Sequence, residues 1–150
     1  MKIRKAKISD LKQAQKLVND YAKREQMIPR SLNELYETVR DFIVCELNGN
    51  VCGVCALHIM WEDLAEIPSL AVDQKYQKIG IGKNLVKQCL KEAKVLGIKR
   101  VFALTYHPEI FKKIGFVDTD KSSLPQKIWG DCLRCPRFPE CDEHAVIIYL

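Results

Sequence analysis

No stretch of this sequence stays apolar long enough to cross a bilayer. The most apolar run, Val51 to Met60, is about half of the ~20 residues that a spanning helix needs, and His58 interrupts it. The first residues, MKIRKAKISD, carry charge but no apolar h-region, so no secretory signal is expected and the expected compartment is the cytoplasm. There is no internal repeat and no low-complexity tract, which excludes solenoids and linker-like chains. A concentrated basic stripe with stacking aromatics is also missing. The net charge of +5 comes from 24 basic and 19 acidic residues interspersed along the chain, which argues against a nucleic-acid partner. Membrane partners are not expected either.

What is present fits one ordinary core. A chain of 150 residues, 47% of them apolar, suits a single domain over 1–150. Seven cysteines without a signal peptide read as reduced thiols. Cys45, Cys52, Cys55 and Cys89 fall in apolar segments and read as small core residues.

The periodicities predict the element order. Lys2 to Lys7 alternates as a strand, and Ser9 or Asp10 can cap a helix with Leu11, Ala14, Leu17, Val18 and Tyr21 on one face. Met27 to Arg30 reads as a loop, and Ser31-Leu32-Asn33-Glu34 as a capping box opening a short helix to about Arg40. Phe42 to Leu47 and Val51 to Met60, joined by Asn48-Gly49-Asn50, predict a hairpin. After a turn at Trp61-Glu62-Asp63, Glu66 to Val72 reads as a strand. Lys83 to Leu96 reads as a helix stopped by Gly97, Arg100 to Leu104 as a buried strand, and Pro108 to Lys113 as a short helix. Phe116 opens another strand, Lys121 to Asp142 reads as irregular, and Val146 to Leu150 as a closing strand. Early hairpins and a later strand-helix-strand crossover predict an α+β (mixed α/β) fold. Its expected form is a twisted, mostly antiparallel central sheet of about six to seven strands with helices on both faces.

The segment AVDQKYQKIGIGKNLV carries the chemistry. A Walker loop fails twice: Gln77 stands where a glycine is needed, and Asn84 follows Gly82-Lys83. A dinucleotide fingerprint fails at Leu85. The pattern Gln/Arg-x-x-Gly-x-Gly/Ala is met by Gln77, Gly80 and Gly82. Such a turn before a helix offers successive backbone N–H groups, the free N–H groups of the first helical turn and the positive end of the helix dipole. Glycine lets an anion such as a pyrophosphate come close. Lys75, Lys78, Lys83 and Lys87 bracket it with positive charge.

This turn, the order of elements and Ile114-Gly115-Phe116 after a short helix resemble the GCN5-related N-acetyltransferases. WEDLAEIPSLAVDQKYQKIGIG, VFALTYHPEIFKKIGF, MIPRS and LPQKIW together look like the acetyltransferase domain of bacterial N-acetylglutamate synthases, in their short single-domain form. The resemblance implies acetyl-CoA as co-substrate, its pyrophosphate on Gln77, Lys78, Ile79, Gly80, Ile81, Gly82 and Lys83. Its thioester and pantetheine would lie along Leu70, Ala71 and Val72 of a splayed strand, with backbone N–H groups near Leu70 and Val72 steadying the oxyanion. It implies direct attack by an amine. Glu66, in an apolar strand and matching a glutamate of the synthases, is the expected base, acting directly or through water.

The tyrosine that many relatives use as acid is replaced by Phe111, and Thr105 is the matching hydroxyl, with Tyr106 beside it. Arg30 and, more weakly, Lys127 would hold substrate carboxylates. The longer synthases also use an arginine and a serine before the last strand. Cys141-Asp142-Glu143-His144 stands there instead, which opens the acceptor to glutamine as well as glutamate. The expected activity is N-acetylation of an amino acid, glutamate first, as in arginine biosynthesis. Acetylation of a protein amine and a non-catalytic sensor of CoA or amino acids are the alternatives, and a homodimer stays open.

Cys132-x2-Cys135-x5-Cys141-x2-His144 could hold a structural zinc, with a redox pair or packed reduced thiols as the other readings. His58, in an apolar strand, reads as a core histidine.

Overall fold

A computed structural model describes residues 1–24, 29–124 and 143–150. β1 (Lys2–Lys5) is followed by a 3-10 turn at Ile8–Asp10 and by α1 (Leu11–Lys23). The expected strand to Lys7 ends early because Lys7 N donates to the Asp10 carboxylate at 2.7 Å, turning the chain into the helix. The same carboxylate takes a bidentate bond from Arg4 at 2.8 and 3.0 Å, and Arg4 also reaches Glu46 at 2.7 Å. The guanidinium, chiefly, holds the Asp10 carboxyl below the usual carboxylate range against the opposing effect of burial.

α2 (Leu32–Glu37) starts as expected, with the Ser31 hydroxyl accepting from Glu34 N at 3.1 Å. It stops at Glu37 rather than Arg40, and Val39–Asp41 forms a 3-10 turn.

β2 (Phe42–Leu47) and β3 (Asn50–Ala56) form the predicted hairpin. Its two-residue turn has positive φ at both Asn48 (52°) and Gly49 (79°), the conformation that matches strand twist. The expected strand from Val51 to Met60 is broken at Leu57 into β3 and β4 (His58–Trp61). The expected strand from Glu66 to Val72 is likewise two pieces, β5 (Leu64–Glu66) and β6 (Leu70–Val72), interrupted at Ile67-Pro68-Ser69, where proline cannot serve a ladder on its N–H side.

α3 (Ile81–Leu96) begins two residues before the expected Lys83, because Gly80 adopts φ 91° and caps it from the left-handed region. β7 (Arg100–Thr105), α4 (Pro108–Lys112), β8 (Val117–Asp118) and β9 (His144–Tyr149) complete the chain.

The single sheet expected from sequence is divided in two among the described residues. One sheet has the order β1-β2-β3-β6 and the other β4-β5-β7-β9-β8. All pairings are antiparallel except β5 with β7, the crossover that runs through α3. The breaks at Leu57 and at Ile67–Ser69 are what part the sheets.

Strand alternation sends side chains to two layers. Ile43, Cys45, Cys55, Ala65, Val72, Val101 and Ala103 pack with Ile81, Leu85, Val86, Cys89, Leu90 and Ala93 of α3. Val44, Val54 and Ala71 pack with Ala14, Leu17 and Val18 of α1. Each such leucine, isoleucine or valine contributes about 1.5–3 kcal/mol by leaving water. The four cysteines read as core residues are buried. Cys55 and Cys89 meet at 3.4 Å, and burial pushes the Cys55 thiol well above its usual range. Among the described residues no helix is long and apolar enough to cross a membrane.

Candidate active site

Up to Ile67 the strand that contains β5 is held against β7, with Ile67 N donating to Phe102 O at 2.9 Å. Beyond it, β6 pairs with β3 and not with β7, so a gap opens between β6 and β7. The phase of the β3–β6 ladder is fixed by Ala56 N to Ser69 O (3.0 Å) and Asp73 N to Cys52 O (2.8 Å). Ala71 therefore turns its N–H and C=O toward β3, while Leu70 and Val72 turn theirs toward the gap. Of the three residues expected to meet a pantetheine arm, Ala71 has its backbone committed to β3 and Val72 has its N–H and C=O engaged by Tyr21, at 3.4 and 3.1 Å, which leaves Leu70.

Val72 is engaged by Tyr21 of α1. Its C=O accepts from the Tyr21 hydroxyl at 3.1 Å and from Gln77 Nε2 at 3.3 Å, and Gln77 Nε2 also reaches the Tyr21 oxygen at 2.9 Å. Gln77, expected at a cofactor site, thus uses its side chain to tie the glycine turn to α1 and β6. Sequence reading placed Tyr21 on the buried helix face and missed this role, since nothing in the spacing pairs residues 21 and 77.

The turn itself runs exposed from Gln77 to Gly80. Lys78 adopts φ 68°, which is uncommon for a residue with a side chain, and Gly80 follows at φ 91°. The two glycines differ in their reasons. A Cβ on Gly80 would meet nothing within 4 Å, but that φ disfavours it. A Cβ on Gly82 would find only Val72 at 3.7 Å and Leu70 at 4.0 Å, ordinary contacts. Packing does not demand glycine at 82. Gly53 sits beneath: its Cβ would come within 3.0 Å of Ile81 and 3.1 Å of Leu85, so glycine on β3 lets the start of α3 press onto the sheet. The N–H groups of that first turn have no acceptor within the helix.

Glu66 is 1% exposed on β5. It shares a face with Leu64 and Phe102, which pack with Leu124, Ala145 and Ile147 on the side away from α3, whereas Thr105 alternates to the α3 face with Val101 and Ala103. The two expected catalytic residues therefore flank the sheet from opposite sides. The Thr105 hydroxyl accepts from His107 N at 2.9 Å, a turn bond before Pro108. Phe111, in the place of the missing tyrosine, is buried edge-to-face against Phe116 at 5.1 Å.

An open cavity of about 260 Å³ lies between α2, the start of β4 and the Pro68–Ser69 break; it is lined by His58, the cross-strand neighbour of Glu66, rather than by Glu66 itself. Arg30 lines it. Its backbone is fixed by Asn19 Oδ1 and Gln15 Nε2, each at 3.1 Å, and its guanidinium stands 3.5 Å from Glu34. His58, expected in the core, is instead exposed at the head of β4, with Nδ1 3.0 Å from the Asp41 carboxylate. The correction has a simple cause: the break at Leu57 ends the buried run before His58. Ser69, 2% exposed, also lines the cavity, and its hydroxyl oxygen has no hydrogen-bond partner among the described residues.

Met27 and Ile28 of the MIPRS block, Lys127, and Cys132, Cys135 and Cys141 of the zinc reading lie outside the described residues. His144 is exposed and opens β9 opposite Thr105. Among the described residues no group of three or more His, Cys, Asp or Glu is placed to hold a metal ion.

A strand that leaves its neighbour, a glycine turn opening a helix and a buried glutamate on the adjoining strand make up the candidate site. The acetyltransferase (GNAT) family matches residues 8–116, and the chain belongs to that family, as an N-acetyltransferase. It is 37% identical over 145 residues to an uncharacterized N-acetyltransferase of Chlorobaculum tepidum, covering 97% of this chain and 94% of the relative. It is 36% identical over 135 residues to an amino-acid acetyltransferase of Mycobacterium tuberculosis, covering 88% of this chain and 77% of the relative. Among solved structures it is similar to N-acetylglutamate synthase from Neisseria gonorrhoeae, complexed with coenzyme A and N-acetyl-glutamate. The TM-score is 0.88 at 28% identity, over 99% of this chain and 35% of that one.

Proposed function

We infer that this chain transfers the acetyl group of acetyl-CoA to the α-amino group of a free amino acid, with L-glutamate as the acceptor that the relatives suggest. The observation that carries this reading is the gap between β6 and β7, with the Leu70 amide turned into it and the exposed glycine turn leading to α3 beside it. An extended thioester arm can pair with the backbone of Leu70 on the gap side of β6 while its pyrophosphate meets the N–H groups from Lys78 to Lys83. The Leu70 N–H is then a fixed donor for the tetrahedral oxyanion.

The opposite placement of Glu66 and Thr105 supports direct transfer. An amine in the cavity approaches the thioester carbonyl from the side away from α3, with Glu66 taking its proton. The departing sulfur lies toward the α3 side, where the Thr105 hydroxyl can supply one. Arg30 is the cation suited to the α-carboxylate of the acceptor.

A second acceptor is favoured by one specific feature. Arg30 shares the described cavity wall with Glu34, Glu37 and Asp41. A wall with that balance favours a neutral side-chain amide such as that of glutamine over a second carboxylate. The deciding experiment follows CoA thiol release with glutamate, glutamine, other amino acids and peptides. Release with glutamate or glutamine supports the reading, and their ratio of kcat/KM identifies the acceptor. Release with peptides alone would make this a protein-modifying enzyme, and release with none would make it a binding module.

A further inference from the structure

Glu66 has a difficulty that its burial creates. Acetylation of an ammonium, R-NH3+ with acetyl-CoA giving R-NH-acetyl and CoA thiol, releases one net proton. A carboxylate 1% exposed can take that proton but cannot hand it directly to bulk water. The β4–β5 register sets His58 directly opposite Glu66. Facing residues of an antiparallel pair share a face, with Cβ atoms about 4.5–5.5 Å apart. The His58 side chain is 47% exposed. Its Nδ1 lies 3.0 Å from Asp41 Oδ2, and a carboxylate only accepts, so Nδ1 carries the hydrogen and Nε2 is the basic nitrogen of the neutral ring.

Asp41 is itself fixed, its N–H donating to Thr38 O and its C=O accepting from Leu57 N, both at 2.9 Å. Among the described residues, the charged groups that line the cavity with His58 are Asp41 on the 3-10 turn, Glu34 and Glu37 on α2 and Arg30 before α2, and Glu66 faces it on β5. Among these the acidic groups outnumber Arg30, an environment that tolerates a transient imidazolium.

We propose that His58, oriented by Asp41, is the proton exit for Glu66. The substrate N–H bond breaks, its electron pair stays on nitrogen, and the proton forms an O–H bond on Glu66. That proton then passes to His58 Nε2, directly or through one water, and the imidazolium beside Asp41 releases it to solvent. Nothing is oxidised or reduced. His58 touches no reacting atom, so it is a positioning and relay residue, and the proposal rests on the reading of Glu66 as base.

The test uses the full chain, acetyl-CoA and its best amino-acid acceptor in weak, low-concentration buffer. His58→Ala is expected to lower kcat about tenfold or more, with the KM for acetyl-CoA unchanged. Added imidazole should restore the rate in a saturable way while leaving the native enzyme unaffected. Asp41→Asn, which keeps shape, should move the ascending limb of the kcat–pH profile to lower pH, because the carboxylate that favours the imidazolium is gone. A His58→Ala enzyme with native kcat, or with a loss that imidazole does not relieve, overturns the relay, as does an unmoved limb in Asp41→Asn. Glu66→Gln separates the two layers of the argument. Full activity in that variant would remove the base reading itself, whereas an inactive Glu66→Gln beside an undisturbed His58→Ala would remove only the relay.

Discussion

The two sides of the sheet are built from different materials. On the α3 side the candidate site is backbone: a glycine turn, the first turn of a helix and Leu70 of β6, positioned by apolar packing and by the Tyr21–Gln77 tie. On the opposite side it is side chains: Arg30, Asp41, His58, Glu66 and Ser69, set by caps, breaks and cross-strand register. Backbone donors suit a chemically constant partner, because a main chain cannot vary its functional groups. Side chains suit the partner that differs from one enzyme to the next. One family can thus keep its donor and change its acceptor.

This contrast accounts for what was legible in the sequence. The α3 side announces itself in Gln77-x-x-Gly80-x-Gly82 and in the stripe from Leu85 to Ala93, because local chemistry dictates local conformation there. The hairpin at Asn48-Gly49 was readable for the same reason. The acceptor side was only partly readable. Arg30 and Glu66 entered through resemblance. The Asp41–His58 pair and the Tyr21–Gln77 tie join residues far apart in the chain, and neither spacing nor propensity encodes such meetings. The parting of the sheets at Leu57 and at Pro68 was missed because both runs are mostly apolar, and His58 and Pro68 were not read as breaks. Periodicity does not distinguish a long buried strand from two short ones that change sheet. That error hid His58, whose exposure follows from the break.

The comparison can be broken from either side, and the acceptor side offers the largest effect. Glu66→Gln keeps volume and removes basicity. Its kcat should fall about 10²–10⁴-fold with little change in KM for acetyl-CoA, measured by steady-state thiol release. An unchanged kcat would move the base elsewhere.

On the donor side, Gly82→Val tests whether that glycine serves a ligand or the fold. Its Cβ has room at 3.7 Å, so the melting temperature should shift little, while KM for acetyl-CoA should rise about tenfold, equivalent to about 1.4 kcal/mol. Equal affinity with lower stability would make glycine 82 a packing residue.

Gly53→Ala should do the reverse. A methyl 3.0 Å from the Ile81 side chain and 3.1 Å from that of Leu85 is tighter than ordinary contact, so those side chains must give by a few tenths of an ångström, at about 1–3 kcal/mol of stability by denaturant titration. Any loss of acetyl-CoA affinity should accompany that loss rather than precede it. A stability equal to that of the native chain would show α3 free to shift.

The smallest effect is electrostatic and lies away from both sites. The Asp10 carboxyl is held low chiefly by Arg4, so its stabilisation is complete above the ordinary carboxylate range near pH 4. It is lost as pH falls through the lower folded value. It is on the order of 1 kcal/mol, and Asp10→Asn should flatten that part of the acid-unfolding curve. An unchanged slope would mean that the Arg4 bond survives in the unfolded chain.

The gap between β6 and β7 also has a kinetic meaning under the proposed function. With the coenzyme on the glycine turn and the amine in the cavity beside Arg30, the two guests have separate places and need no waiting order. Initial-velocity lines should then intersect rather than run parallel, and a dead-end analogue of either guest should compete only with the guest that it imitates.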